Sequence, residues 1–191
     1  MARVGMKHLV FAPIATENAS AAPTYSGGVV LGRAVRGNRT PTRYDAKLYG
    51  DDGLAESYNG LKEIGVEIET TELVEANAVT MGILKAVGTG ETLTYRQTQK
   101  PTVFGGCGWV ETHVRHGVEL YVAIWIYKVQ LAPGNEEART RGDNLEYGTE
   151  SMTGTSMAAF ADTDGDDVYY ELKVCTSLTA ATTWLDGLAG L

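Results

Sequence analysis

The chain of 191 residues has only two cysteines, Cys107 and Cys175. Two are too few for a disulfide framework, and they read as reduced, buried, small apolar residues of a protein made in a cytoplasm. Histidine is as scarce: His8, His113 and His116, with no spacing that would gather nitrogen and sulfur around zinc. Basic residues are outnumbered, 16 against 24 acids, for a net charge of −8. Tight binding to a nucleic-acid backbone needs the opposite balance. No window approaches the roughly 18 apolar residues of a membrane span, and the first eleven residues hold no apolar core long enough for a signal peptide. A soluble, intracellularly made protein is expected. Internal repeats and low-complexity tracts are also absent. Phenylalanine is rare (3) and glycine abundant (23), so turns should be frequent and long helices few, which favours a mainly β fold.

What is present centres on Val118 to Leu131, the longest apolar run, rich in β-branched and aromatic residues. By parity, one face of this strand carries Val118, Leu120, Val122, Ile124 and Ile126. The other carries Tyr121, Ala123, Trp125, Tyr127, Val129 and Leu131. Neither face is polar through the middle, so both need cover, whereas an ordinary antiparallel strand wets one of them. The aromatic face is expected under a helix of this chain or against a neighbouring one.

The length suits one domain spanning 1–191, with arms. Lys7 to Ile14 reads as a first strand ended by Pro13, and residues 15–26 as an exposed loop or arm. Gly28 to Arg36 and Thr42 to Tyr49 read as strands, the second half-buried, with a turn at Asn38 to Pro41. Asp51-Asp52-Gly53 has turn chemistry, and residues 38–60 form a long, mostly polar segment. Glu63 to Thr70 alternates, with Ile64, Val66 and Ile68 inward. Thr70 or Thr71 caps a helix from Glu72 to Met81 that Gly82 stops. Its apolar stripe is Leu73, Ala76, Val79 and Ile83. This is the one short helix expected, and the natural lid for a sheet face.

Leu93 to Gln97 reads as a strand. Thr102 to Val114 pairs with Val118 to Leu131 across Arg115-His116-Gly117. Gly105, Gly106 and Gly108 mark a bulge or a close backbone approach. Pro133 to Asn144 is a charged loop. Leu145 to Met152, Thr155 to Phe160 and Val168 to Cys175 read as strands, with a tight acidic turn at Asp162 to Asp167. Residues 177–191 read as a tail that Trp184 could anchor. The fold class is a β-sandwich or barrel with one flanking helix and extended loops.

Three motifs touch on chemistry. Gly154-Thr155-Ser156-Met157-Ala158 matches the stretch around the nucleophile of subtilisin-like proteases. That mechanism needs an Asp and a His earlier in the chain. The His-Gly-Thr-His motif is missing, and Phe160 stands where the proline would. Asp162, Asp164 and Asp166 alternate as calcium ligands do, but Gly165 and Glu171 fall at the wrong positions for an EF-hand. A solvated acidic turn is the plainer reading. Cys107 has no histidine placed to activate it, since His113 lies about 20 Å along the same strand. No catalytic constellation remains, so no cofactor and no enzymatic role are expected, and the weight moves to a structural protein.

Several stretches in order resemble the phi13-type major tail proteins of long-tailed bacteriophages. They are Val4 to His8, Arg43-Tyr44-Asp45-Ala46-Lys47-Leu48-Tyr49-Gly50-Asp51-Asp52-Gly53, and Gly65 to Glu69 leading into the helix. Tyr121 to Lys128 and Thr140-Arg141-Gly142-Asp143-Asn144 with the following strand complete them. The resemblance covers about Arg3 to Cys175. It implies a tail-tube subunit whose six copies close a ring by joining their sheets into an inner barrel. Rings would stack around a tape-measure protein, end on terminator and distal tail proteins, and later conduct double-stranded DNA without binding it specifically. No membrane is involved. The protein would be made in the bacterial cytoplasm and end in the virion tail. Subunit-interface candidates in these stretches and the adjoining polar loops are Tyr44, Leu48, Tyr49, Asp51, Asp52, Arg139, Arg141 and Asp143. Segments 15–26, 38–60 and 133–144 are candidate arms that order on stacking. Alternatives are the tube of a contractile tail or secretion system, a head-tail connector, and a small calcium-binding β-sandwich.

Overall fold

The computed structural model describes residues 2–51, 53–135 and 148–191. Its first strands are β1 (Ala2–Asn18), β2 (Ala21–Tyr25), β3 (Val29–Val30), β4 (Ala34–Arg43), β5 (Ala46–Gly50), β6 (Gly53–Tyr58) and β7 (Leu61–Thr70). Helix α1 (Glu75–Thr80) leads to β8 (Leu84–Val87), β9 (Thr94–Gln97), β10 (Phe104–Arg115) and β11 (Val118–Pro133). Then come β12 (Glu150–Ser156), β13 (Phe160–Ala161), β14 (Asp167–Val168), β15 (Tyr170–Cys175) and helix α2 (Leu178–Ala189). The protein is mainly β, as its composition indicates, with two α-helices among the described residues where one was expected. Among the described residues no helix is long and apolar enough to cross a membrane.

The hairpin β10–β11 forms across His116-Gly117, both with positive φ as a tight turn requires. It anchors a nine-stranded sheet whose main order is β2-β1-β10-β11-β12-β7-β4, with β3 beside β1 and β15 beside β11. One irregularity shapes this sheet. Gly105 pairs with Val129 and Cys107 with Ile126, so Tyr127 and Lys128 oppose Gly106 alone. This β-bulge inserts one residue and reverses the parity of β11 beyond it. Val129 and Leu131 therefore join Val122, Ile124 and Ile126 in one core, while Ala123, Trp125 and Tyr127 lie in another. Strict alternation had put Val129 and Leu131 on the aromatic face; the bulge corrects that. The sheet also forks there: β11 pairs with β15 over Tyr121 to Ile126 and with β12 over Val129 to Pro133.

Beyond the fork the sheet curls over itself. Ile64, Val66 and Ile68 of β7 and Met152 of β12 share the first core with Leu9, Phe11, Trp109, Ile124 and Ile126. Strand β4 crosses close to β10, and a Cβ on Gly37 would meet Met6 and the Trp109 ring. Helix α1 closes this core through Ala78, Met81 and Ile83, and Gly82 stops it at φ +74°. It is shorter than expected, and Ala76 faces solvent. Neither Thr70 nor Thr71 caps it. The Thr70 hydroxyl donates to the Arg33 and Glu72 carbonyls, and the Thr71 hydroxyl accepts from Arg33 N–H.

The aromatic face is covered by α2, built from the residues read as a tail. Ser177 accepts from Ala180 N–H at 3.2 Å as N-cap, and Gly190 ends the helix at φ +69°. Ala181, Leu185 and Ala189, four residues apart, form one buried stripe against Val10, Val110 and Trp125. Burying the Leu185 side chain contributes roughly 1.5–3 kcal/mol, and each alanine less. Trp125 is fully buried here, beneath α2 and not beneath α1. The proposed arm 15–26 is also ordered. Strand β1 runs through Pro13, whose carbonyl accepts from Ser26 N–H and whose missing N–H falls between the stretches paired with β3 and β2. Tyr25 then packs edge-on against Trp125, ring centroids 5.1 Å apart.

Four further expectations change. The stretch Gly28 to Arg36 is broken at the buried Leu31 into β3 and the start of β4. Asn38 to Pro41 is no turn, because it pairs in register with β7. Thr155 to Phe160 is no strand; β12 ends at Ser156. Thr42 to Tyr49 is interrupted at Tyr44-Asp45, and its outer part leaves the main sheet. The charged loop 133–144 and the start of the strand at Leu145 lie mostly outside the described residues.

Candidate assembly surface

Among the described residues, strands β5 and β6 pair only with each other. Register pairs such as Leu48 with Glu56 and Tyr49 with Leu54 hold this ribbon. The base is closed by Tyr44 N–H to the Gly60 carbonyl at 2.8 Å, and Asp51 takes a positive φ at the tip. A lone two-stranded ribbon cannot bury either face. Leu48, Tyr49, Leu54 and Tyr58 are accordingly 56–69% exposed, and Tyr44 stacks loosely on Tyr58 at 6.2 Å. Thus four of the interface candidates, Tyr44, Leu48, Tyr49 and Asp51, do come together, on a projecting hairpin instead of the half-buried strand expected. Asp52, Arg139, Arg141 and Asp143 lie outside the described residues.

A second apolar surface had no forewarning in the sequence. Tyr170, Leu172 and Val174 of β15 stand opposite Ile126, Ile124 and Val122 of β11, so they continue the face of the first core. The curled half of the sheet does not reach over them, and Leu172 and Val174 are half-exposed. Beyond β15 the sheet has no further strand among the described residues. The opposite face of β15 is tied down: Glu171 accepts from the Tyr127 hydroxyl, Lys173 lies over the Trp184 ring, and Cys175 is buried. Alternation in Val168 to Cys175 was the available signal, but it does not say which face lacks a cover.

Beside the hairpin base lies a cleft of about 270 Å³, lined by Arg3, Arg39, Arg43, Leu61, Glu111 and Tyr170 among others. Its floor is Glu111, nearly buried in β10, which accepts from His113 at 2.9 Å and Trp109 Nε1 at 3.2 Å and pairs with Arg3 at 3.2 Å. Burial pushes this carboxyl upward. The His113 and Trp109 hydrogen bonds and the Arg3 and Arg39 charges outweigh that and hold it below the ordinary glutamate value. The Arg39 guanidinium is positioned by two rings, 4.9 Å from the Tyr170 centroid and 5.9 Å from Trp109.

The remaining candidates are placed as follows. Asp162, Asp164 and Asp166 sit in an exposed turn between β13 and β14. Asp162 Oδ1 accepts the Asp164 and Asp166 N–H groups at 3.0 Å each. No three acids, histidines or cysteines are gathered for a metal among the described residues. Ser156 is fully buried in β12, out of reach of a substrate. Cys107 is fully buried too, which pushes its thiol up to about 12. His113, six residues further along β10, is engaged by Glu111. The chain matches no protein-family model and no curated protein with which it was compared.

Proposed function

We propose that this chain is a structural subunit, the major tail tube protein of a long-tailed bacteriophage. The observation that carries the reading is surface left without cover. One chain presents a projecting hairpin with apolar side chains on it and, separately, an edge strand with an apolar row. Monomers rarely keep such surface in contiguous form, and open edges are normally blunted. Two different surfaces on one chain suit head-to-tail contacts, which close rings or propagate. The ordered resemblance to tail proteins selects the tube among such assemblies.

In this reading six subunits close each ring, and rings stack around a tape-measure protein between the terminator and distal tail proteins. The finished tube lies in the virion tail after synthesis in the host cytoplasm. The net charge of −8 suits a conduit, because a negative wall repels phosphates and lets duplex DNA slide. The chain's role is mechanical and needs no cofactor.

Negative-stain microscopy of the purified protein tests this: hollow tubes or six-fold rings are expected. A second variant replaces residues 46–58 with a short Gly-Ser link. It should stay folded by circular dichroism, since the Tyr44–Gly60 bond and the β4–β7 ladder remain, but should form no tubes. Normal tubes from that variant would remove the hairpin from the assembly.

A further inference from the structure

We propose that the arginine cleft at the hairpin base is a receptor for the acidic turn Asp162 to Asp167 of a second copy of this chain. The inference rests on the assembly reading and names a contact within it. The chain has more acids than bases, yet here three guanidinium groups, those of Arg3, Arg39 and Arg43, surround one carboxylate. That carboxylate, Glu111, is already engaged by His113, Trp109 and Arg3. Arg39 reaches it only at 3.9 Å and is otherwise held by ring faces, which leave its N–H edge unused. Arg43 contributes a single long bond to the Asn59 carbonyl. The cleft thus has positive charge and planar donors in excess, the chemistry that takes a carboxylate. About 270 Å³ lies below the ~300–1,000 Å³ of ordinary small-molecule sites; it suits a side chain or two.

The turn supplies the complement. Asp164, Asp166 and Asp167 are exposed on the turn, Asp162 braces it by accepting two of its N–H groups, and none of the four pairs with a cation among the described residues. Backbone bonds from Asp162 N–H to the Asp166 carbonyl and from Gly165 N–H to the Asp162 carbonyl set its shape before any partner arrives, so little ordering cost remains. Phosphate has the right charge for the cleft as well, and the whole-chain charge of −8 opposes a polyphosphate and a second copy alike, so shape and supply decide between them. The acidic turn belongs to a molecule present at the same concentration and is presented singly.

Sedimentation velocity of the full-length protein at low salt decides the matter. Arg43→Glu, on an exposed side chain, and the double variant Asp164→Lys/Asp166→Lys should each weaken self-association at least about tenfold. Their melting curves should stay close to the parent's. Mixing equal amounts of the two variants should restore association, because every cleft then meets a turn of opposite sign. If both variants assemble like the parent, or the mixture fails to recover, the contact is wrong while the tube reading stands. A parent that stays monomeric at every concentration overturns both. Capture of a short labelled DNA duplex by the parent, lost in Arg43→Glu, would make the occupant a nucleic acid and overturn the proposal.

Discussion

Trp125 in β11 and Leu172 in β15 are near neighbours in one sheet, yet Trp125 is fully buried and Leu172 is half open to solvent. The two belong to opposite faces. Over Trp125 lie Leu185 of α2, the Tyr25 ring and the backbone of Gly106 and Gly108, so close that a Cβ on Gly106 would overlap the indole. Over Leu172 the described residues place nothing comparable, and it is 50% exposed. The aromatic face is therefore completed from within, by a helix that comes late in the sequence. The aliphatic face is completed only as far as the curled sheet extends. The difference separates what the described residues cover themselves from what they leave open, the surface on which the proposed assembly rests.

Substitutions on the two sides should separate in the same way. The largest effect is expected from Trp125→Ala, which empties the space beneath α2 and should cost about 3–5 kcal/mol, read as a fall in the urea midpoint. Near-parental stability would mean that α2 does not seal this face. Next comes Glu111→Gln, at the floor of the arginine cleft, at about 1–3 kcal/mol near neutral pH, since His113, Trp109 and Arg3 lose a charged acceptor. The sign with pH follows from the lowered carboxyl. Its stabilisation is complete above the ordinary glutamate value of 4.5 and is lost as the pH falls through the lower folded value. Parent and variant should therefore converge in acid; a gap that persists or widens there would refute the assignment. The smallest effect on stability belongs to Leu54→Ser with Tyr58→Ser on the hairpin, within about 0.5 kcal/mol. The same pair should abolish tubes in micrographs, and a large drop in melting temperature would show instead that the hairpin serves the monomer.

Much of the framework was readable as pattern. The alternation of Ile64, Val66 and Ile68 marked β7, and Arg115-His116-Gly117 marked the central turn. The Gly105, Gly106 and Gly108 cluster marked the bulge and the close approach of Trp125. The parity reversal was not readable, because a bulge is set by how two strands pair and not by either alone. Helix α2 was missed for its threonines, poor helix formers. Ser177, Gly190 and the four-residue spacing of Ala181, Leu185 and Ala189 were signals enough to find it. The hairpin candidates Tyr44, Leu48, Tyr49 and Asp51 were named through the resemblance; the structure brings them together on one hairpin, but their burial was misjudged. Alternating residues were taken to need a core, and an isolated ribbon has none. The β15 surface and the arginine cleft stayed hidden, since Arg3, Arg39 and Glu111 meet only once β1, β4 and β10 are assembled.

The order in which these pieces are synthesised has its own consequence. Trp125 cannot be sealed until Leu185 exists, sixty residues later in the chain. At ordinary translation rates of 5–20 residues per second, its face waits about 3–12 s for its lid. Through that interval a nascent strand with a bare aromatic side is exposed to every neighbouring polysome making the same chain. If the proposed tube is right and many copies are made at once, wrong contacts are most open in the interval before α2 emerges.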